Sequence, residues 1–117
     1  MLKIKRVYES AKASDGVRFL VERLWPRGMK KEQLHMNACL KDVAPSSSLR
    51  SWFAHDPLRW QEFQQRYRAE LESNPDSWKP ILEAAKRGNV TLLYSARETE
   101  RNSANLLKSF LEEHMER

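Results

Sequence analysis

Residues 90–94 read Val-Thr-Leu-Leu-Tyr, five uncharged residues in a row, and they follow a helix-like segment that closes on Lys86, Arg87 and Gly88. A run this short, without polar alternation, suits a strand covered on both faces. A strand entered from a helix is reached by a crossover, so it is expected to lie centrally and to pair in parallel with its neighbours. Together these properties commit the chain to α/β layers, because a sheet buried on both sides needs cover on both sides. No hairpin signal separates the apolar runs, which points the same way.

The other segments fill in that plan. Leu2, Ile4 and Val7 are separated by Lys3, Lys5 and Arg6, an imperfect alternation that predicts a first strand over 2–8. Glu9 to Gly16 is a polar loop in which Asp15-Gly16 signals a turn. Residues 17–25 are ambiguous by periodicity. Val17, Leu20, Val21 and Leu24 fit a helix in which Arg18 would face Glu22, whereas the short length and the bounds at Gly16 and Pro26 fit a central strand. Pro26 lacks an amide hydrogen and biases Trp25 toward an extended conformation, so regular structure is expected to end there, and Gly28 lets the chain turn. Met29–Leu34 reads as a short helix or a basic loop. Met36, Ala38, Leu40 and Val43 then offer a third strand that ends at Ala44-Pro45-Ser46.

The middle of the chain is helical. Ser46, Ser47 or Ser48 can cap a short helix carrying Leu49, Trp52 and Phe53. Asp56-Pro57 opens a longer helix with Trp60, Phe63, Tyr67 and Leu71 on one face. Asn74-Pro75-Asp76 opens another with Trp78, Ile81, Leu82 and Ala85, and Gly88 fits a left-handed position just past its end. Asn102 opens a last helix in which Ala104, Leu107, Phe110, Leu111 and Met115 form the buried stripe. The expected fold is a single compact α/β domain over residues 1–117, with a mostly parallel four-stranded sheet flanked by helices.

Composition narrows the function. Lys and Arg number 21 against 16 Asp and Glu, a net charge of +5 that favours anionic partners, but the two signs are interspersed with no block of like charge. No apolar run is long enough to span a membrane and MLKIKRVY lacks an export-signal core, so no membrane partner and a cytoplasmic location are expected. Cys39 is the single cysteine, so it cannot form an internal disulfide, and no Cys/His spacing suits zinc. No metal or cofactor is therefore expected, and nucleotide-binding Gly-rich loops are missing.

Four ordered motifs, RLWPRG at 23–28, KDVAPS at 41–46, LRSWFAHDPLRWQEFQQRYRAEL at 49–71 and LLYSAR at 92–97, resemble the YeaO-like branch of the domain-of-unknown-function 488 family. The resemblance covers nearly the whole chain. It implies a compact α/β domain in which residues 18–24 form a strand, and it implies no established activity. Larger relatives carry a cysteine in the segment matching Tyr94 to Asn102 and a Cys-His pair further along. This chain has Tyr94, Asn102 and Ser103 there, so thiol or metal chemistry does not carry over.

In a parallel α/β sheet, ligands bind outside the carboxyl ends of the strands. If the strands are parallel, Arg23, Arg27 and Arg97 would meet there near Asp42, Ser46, Ser47 and Asn102. Guanidinium forks, hydroxyls and helix N-terminal amides are the makings of an anion site. The competing explanation is that Asp42 neutralises an arginine while Ser46 and Asn102 cap helices. Trp25 and Tyr94 could add a stacking surface, although aromatic side chains in a small domain more often pack. His55 beside Asp56 has the form of an oriented base but no nucleophile near it. Of three function classes, one, an interaction subunit, would need a large exposed apolar patch that a sequence does not show, and the first of the other two is the expected one. The first is a pocket for a small phosphorylated or nucleotide-like anion, with the reaction and any enzymatic activity undecided. The other is a nucleic-acid-associated or regulatory module using Lys30-Lys31 and Arg66-Arg68, weakened by the lack of any known nucleic-acid-binding motif.

Overall fold

Four strands, β1 (Leu2–Arg6), β2 (Val17–Leu20), β3 (Ala38–Cys39) and β4 (Val90–Tyr94), form one sheet in the order β1-β4-β2-β3, with every neighbouring pair parallel. The computed structural model describes residues 1–115. Among the described residues, five α-helices accompany the sheet: α1 (Lys31–Leu34), α2 (Ser47–Phe53), α3 (Trp60–Ser73), α4 (Lys79–Arg87) and α5 (Ser103–Met115). β4 pairs with β1 from Leu2↔Val90 to Arg6↔Tyr94 and with β2 from Val17↔Val90 to Leu20↔Leu93, and all five of its residues are buried. The central parallel strand expected at 90–94 is therefore present.

Side chains alternate across the strands, and the two faces of the sheet differ. Phe19, Val90, Leu92 and Tyr94 enter the main core with Phe63, Tyr67, Ile81, Leu107 and Leu111 of α3, α4 and α5. Two ring hydrogen bonds fix that layer, Tyr67 Oη donating to Val43 O at 2.7 Å and Trp78 Nε1 to Leu71 O at 2.8 Å. The opposite face holds a much smaller cluster, Val7, Leu20, Leu34 and Leu93, under the single turn of α1.

An ion cluster completes the cover of that smaller face. Asp15 is 1% exposed, and its carboxylate accepts from Lys5 Nζ at 2.8 and 2.9 Å, from Arg18 Nη1 at 2.5 Å and from the Lys12 amide at 3.1 Å. Arg18, also buried, donates to the carbonyls of His35 and Leu34, while Thr91 of β4 donates to Asp15 O at 2.8 Å. Gly16 follows with φ +66°, and a Cβ there would lie 2.0 Å from Asn89 O, so only glycine permits the approach of this turn to the start of β4.

Several local expectations are corrected. β2 ends at Leu20, well before Pro26. Val21 N still donates to Leu93 O at 3.2 Å, but β3 gives way to a 3₁₀ turn at Lys41–Val43 and β4 stops at Tyr94, so the ladder has no partners further on. β3 is for the same reason only two residues long. Gly88 has φ 172°, extended rather than left-handed. Met115 is 37% exposed and lies off the buried stripe of α5. Ser46 caps α2 by accepting from the Leu49 amide at 3.1 Å, and Asp56 caps a 3₁₀ turn that leads into α3. Asn74 makes no side-chain cap, and α4 begins only at Lys79.

Burial alone would raise the Asp15 pKa, but Lys5, the Lys12 amide and Arg18 outweigh it and hold the carboxyl at about 2, below the ordinary 3.8. The carboxylate thus stabilises the fold above the ordinary value, and its contribution fades as pH falls through about 2. Asp15→Asn should cost about 3 kcal/mol at pH 7 in urea denaturation, since it leaves Arg18 buried without its anion. The difference from the parent protein should shrink between pH 4 and pH 2; a gap independent of pH would contradict this assignment.

Candidate functional site

The chain leaves β4 for α5, whose Leu107, Phe110 and Leu111 pack on the large face. It leaves β2 for α1, whose Leu34 packs on the small one. Adjacent strands whose connections depart to opposite faces leave a crevice between their carboxyl ends. A cleft of about 590 Å³ lies there, lined by residues 21–24 beyond β2, by residues 94–98 at and beyond β4, and by Arg50, His55, Arg101 and Asn102 among others. Phe53, Trp60 and Phe63 supply its apolar wall, with the Phe53 and Phe63 ring centroids 4.5 Å apart.

Of the residues picked from sequence, Arg23, Tyr94, Arg97 and Asn102 line this cleft, and Arg27, Asp42, Ser46 and Trp25 stand outside its lining. Arg23 is committed to its own chain, with Nε donating to Pro45 O at 2.8 Å and Nη2 to Ala44 O at 3.3 Å, so it fixes the cleft wall at 44–45. Asp42 is 4.0 Å from Arg23 but its side chain is 86% exposed. Ser46 Oγ donates to Glu70 Oε2 at 2.5 Å while it caps α2. Asn102 is buried, its Oδ1 accepting from the Asn105 amide at 2.8 Å and its Nδ2 donating to Glu98 O at 2.9 Å, which makes it the cap of α5. Arg27 is exposed on the turn closed by Gly28. Trp25 is 44% exposed, so it does not pack like Trp78.

Other cleft residues were not singled out by their sequence pattern. Glu22, which would have faced Arg18 in a helix, instead projects into the cleft. Its Oε2 accepts from Ser95 Oγ at 2.9 Å, and its buried Oε1 has no hydrogen-bond partner among the described residues. Burial pushes the Glu22 carboxyl above its ordinary value, against the pull of the Ser95 hydroxyl and amide and of Arg50. Arg101 lies one residue before the α5 cap. Neither it nor Arg97 has a side-chain hydrogen bond or ion pair among the described residues, and both are exposed at the cleft. The one legible signal for Glu22 was a charge set inside an apolar run; Arg50 and Arg101 carried none.

His55 lines the cleft with φ +57°, but Asp56 is engaged as a cap and lies 3.7 Å from Arg59, so no carboxylate orients the ring through Asp56. Cys39 sits with the small-face cluster, its thiol pushed up by burial, and it does not line the cleft. Among the described residues, no helix is long and apolar enough to cross a membrane.

The fold is that of a small α/β domain with a parallel sheet and a cleft of mixed charge at the carboxyl ends of β2 and β4. The chain belongs to the domain-of-unknown-function 488 family: the family model described as "Inactive DUF488-N3 subclade" matches residues 1–117. It is 41% identical over 110 residues to the uncharacterised protein YeaO of Escherichia coli, covering 94% of this chain and 96% of that protein. It is also 36% identical over 110 residues to uncharacterised proteins of Mycobacterium bovis and Mycobacterium tuberculosis, covering 94% of this chain and 92% of each. No solved structure matches the chain.

Because the folded state holds the Glu22 proton more tightly than the unfolded chain, where a glutamate titrates near 4.5, this residue costs stability as pH rises above 4.5. Glu22→Gln keeps a partner for Ser95. Its denaturation midpoint relative to the parent should rise between pH 4 and pH 7. A relative fall over the same range would show that Arg50 and Ser95 more than compensate the buried charge.

Proposed function

We propose that this protein binds a small phosphorylated or nucleotide-like anion in the cleft at the carboxyl ends of β2 and β4. One observation carries the reading. Arg97 and Arg101 line the cleft without an anionic partner among the described residues, beside Arg50, in a domain that neutralises Asp15 elsewhere with three of its cations. An unpaired guanidinium on a partly enclosed apolar wall retains its full capacity for bidentate pairing with phosphate. Phe53, Trp60 and Tyr94 offer an aromatic wall of the kind that accepts a base or sugar. Glu22 and the Ser95 hydroxyl, hydrogen-bonded to each other at 2.9 Å, add polar groups to the same lining.

Binding rather than turnover is the reading favoured by the family's description as an inactive subclade and by the position of Cys39 away from the cleft. A nucleoside monophosphate is then held by its phosphate near Arg97 and Arg101, with its ring toward the aromatic wall.

Isothermal titration with thymidine 5′-monophosphate, ribose 5-phosphate and inorganic phosphate, each at two salt concentrations, tests this. Arg97→Ala and Arg101→Ala should each weaken the phosphorylated ligands by about tenfold, the worth of one charge-assisted hydrogen bond. Binding only of long polyanions, abolished by moderate salt, would overturn the proposal.

A further inference from the structure

Beside the cleft, the loops after β1 and β2 expose three large apolar side chains close together in the chain's turns. Tyr8 is 48% exposed, Leu24 63% and Trp25 44%. They are held in place rather than loose. Tyr8 Oη donates to Arg27 O at 2.9 Å, and Trp25 Nε1 donates to Met29 O at 2.6 Å across the turn that Gly28 closes with φ +78°. The Arg6 guanidinium lies 5.0 Å from the Tyr8 ring centroid and donates to Ala96 O at 2.9 Å and Ser95 O at 3.3 Å, both carbonyls of cleft-lining residues. Leu24 lines the cleft itself. The rim is therefore continuous with the cleft on two sides, through Arg6 and through Leu24.

Its charge is as telling as its rings. Arg27 is exposed with no side-chain partner among the described residues, as are Arg97 and Arg101 at the adjoining cleft. Fixed aromatic rings interleaved with unpaired guanidiniums are how proteins hold single-stranded nucleic acid without reading its sequence: bases stack on the rings while the cations follow the backbone. A duplex would not suit such a surface, because its bases are already stacked and paired.

Resting on the cleft reading above, we infer that the occupant of the cleft is one nucleotide of a single-stranded nucleic acid, and that Trp25 and Tyr8 stack its neighbours along the rim. The mononucleotide fills only the cleft; a longer strand reaches the rim as well. Trp25 lies outside the cleft lining, so the two contributions can be separated by substitution.

The experiment measures the affinity of thymidine 5′-monophosphate and of 5′-phosphorylated oligothymidylates of two to six residues at a fixed physiological ionic strength. A parallel adenylate series and a short duplex serve as comparisons. Affinity is expected to rise by about tenfold or more from the mononucleotide to the tetranucleotide, the gain that one or two stacked bases provide. Trp25→Ala should remove most of that gain and leave mononucleotide affinity unchanged, and Trp25→Phe should restore it, with unaltered melting temperatures showing that each variant is folded. An affinity independent of length in both series would overturn the inference while leaving the cleft reading intact, and would reserve the rim for a protein partner. Equal affinity for the duplex would also overturn it. Tetranucleotide binding that ignores Arg97→Ala, with no mononucleotide binding, would overturn the cleft reading and with it the placement of a nucleotide in the cleft. Failure of every probe to bind would overturn both.

Discussion

The buried carboxylate of Asp15 holds together a face of the sheet that has almost no helix to cover it. A parallel sheet needs cover on both sides, and here α1 supplies one turn and one buried leucine, Leu34. Lys5 from β1, Arg18 from β2 and the backbone around Lys12 all converge on Asp15, and Arg18 carries the connection on to the carbonyls of Leu34 and His35. Residues 5–18 are thus tied through one ion, and Arg18 links them to the carbonyls at 34–35. The desolvation of so many charges is offset only because each hydrogen-bonding position near the carboxylate is used, which makes the cluster intolerant of losing any one member.

That constraint reaches the cleft end of the molecule. Arg18 also fixes the neighbouring strand, since its amide donates to Asn37 Oδ1 at 2.8 Å and its carbonyl accepts from the Asn37 amide at 2.7 Å. With β2 anchored at its start and paired to β4 as far as Leu20, the chain beyond Val21 emerges over the end of β4 in one place. Glu22 and Arg23 are there held by Ser95 and by the carbonyls of Ala44 and Pro45. The charge balance divides accordingly: cations near Asp15 serve the fold, Arg23 serves the cleft wall, and the guanidiniums of Arg27, Arg97 and Arg101 have no side-chain partner among the described residues.

The layer plan was legible because it depends on local properties. The uncharged run at 90–94, the Ser46 cap, the Asp56-Pro57 start and the stripe of Phe63, Tyr67 and Leu71 each announce their element within a few residues. What depends on partners distant in sequence was not legible. Strand ends at Leu20 and Cys39 are set by where their neighbours stop. Asp15 reads as a turn residue, and nothing local distinguishes it from the buried anion that it is. The cleft divides in the same way: Arg23, Arg97, Tyr94 and Asn102 follow from the rule that strand ends gather ligands, Glu22 showed only as a charge inside an apolar run, and Arg50 is brought to the cleft by tertiary packing alone. Arg23 and Asn102 also show that a residue of suitable chemistry at a suitable place can be occupied by the backbone around it.

A two-dimensional amide NMR titration with thymidine 5′-monophosphate tests the central claim most directly. If the cleft is the binding site, the largest shifts fall on the amides of residues 22–24, 95–98 and 101–103, and the Nε–H signals of Arg97 and Arg101 move with them. Shifts confined to the outer surface of α3 around Arg66 and Arg68, or to Lys30 and Lys31, would contradict the claim and place anion binding on the basic surface of the domain instead.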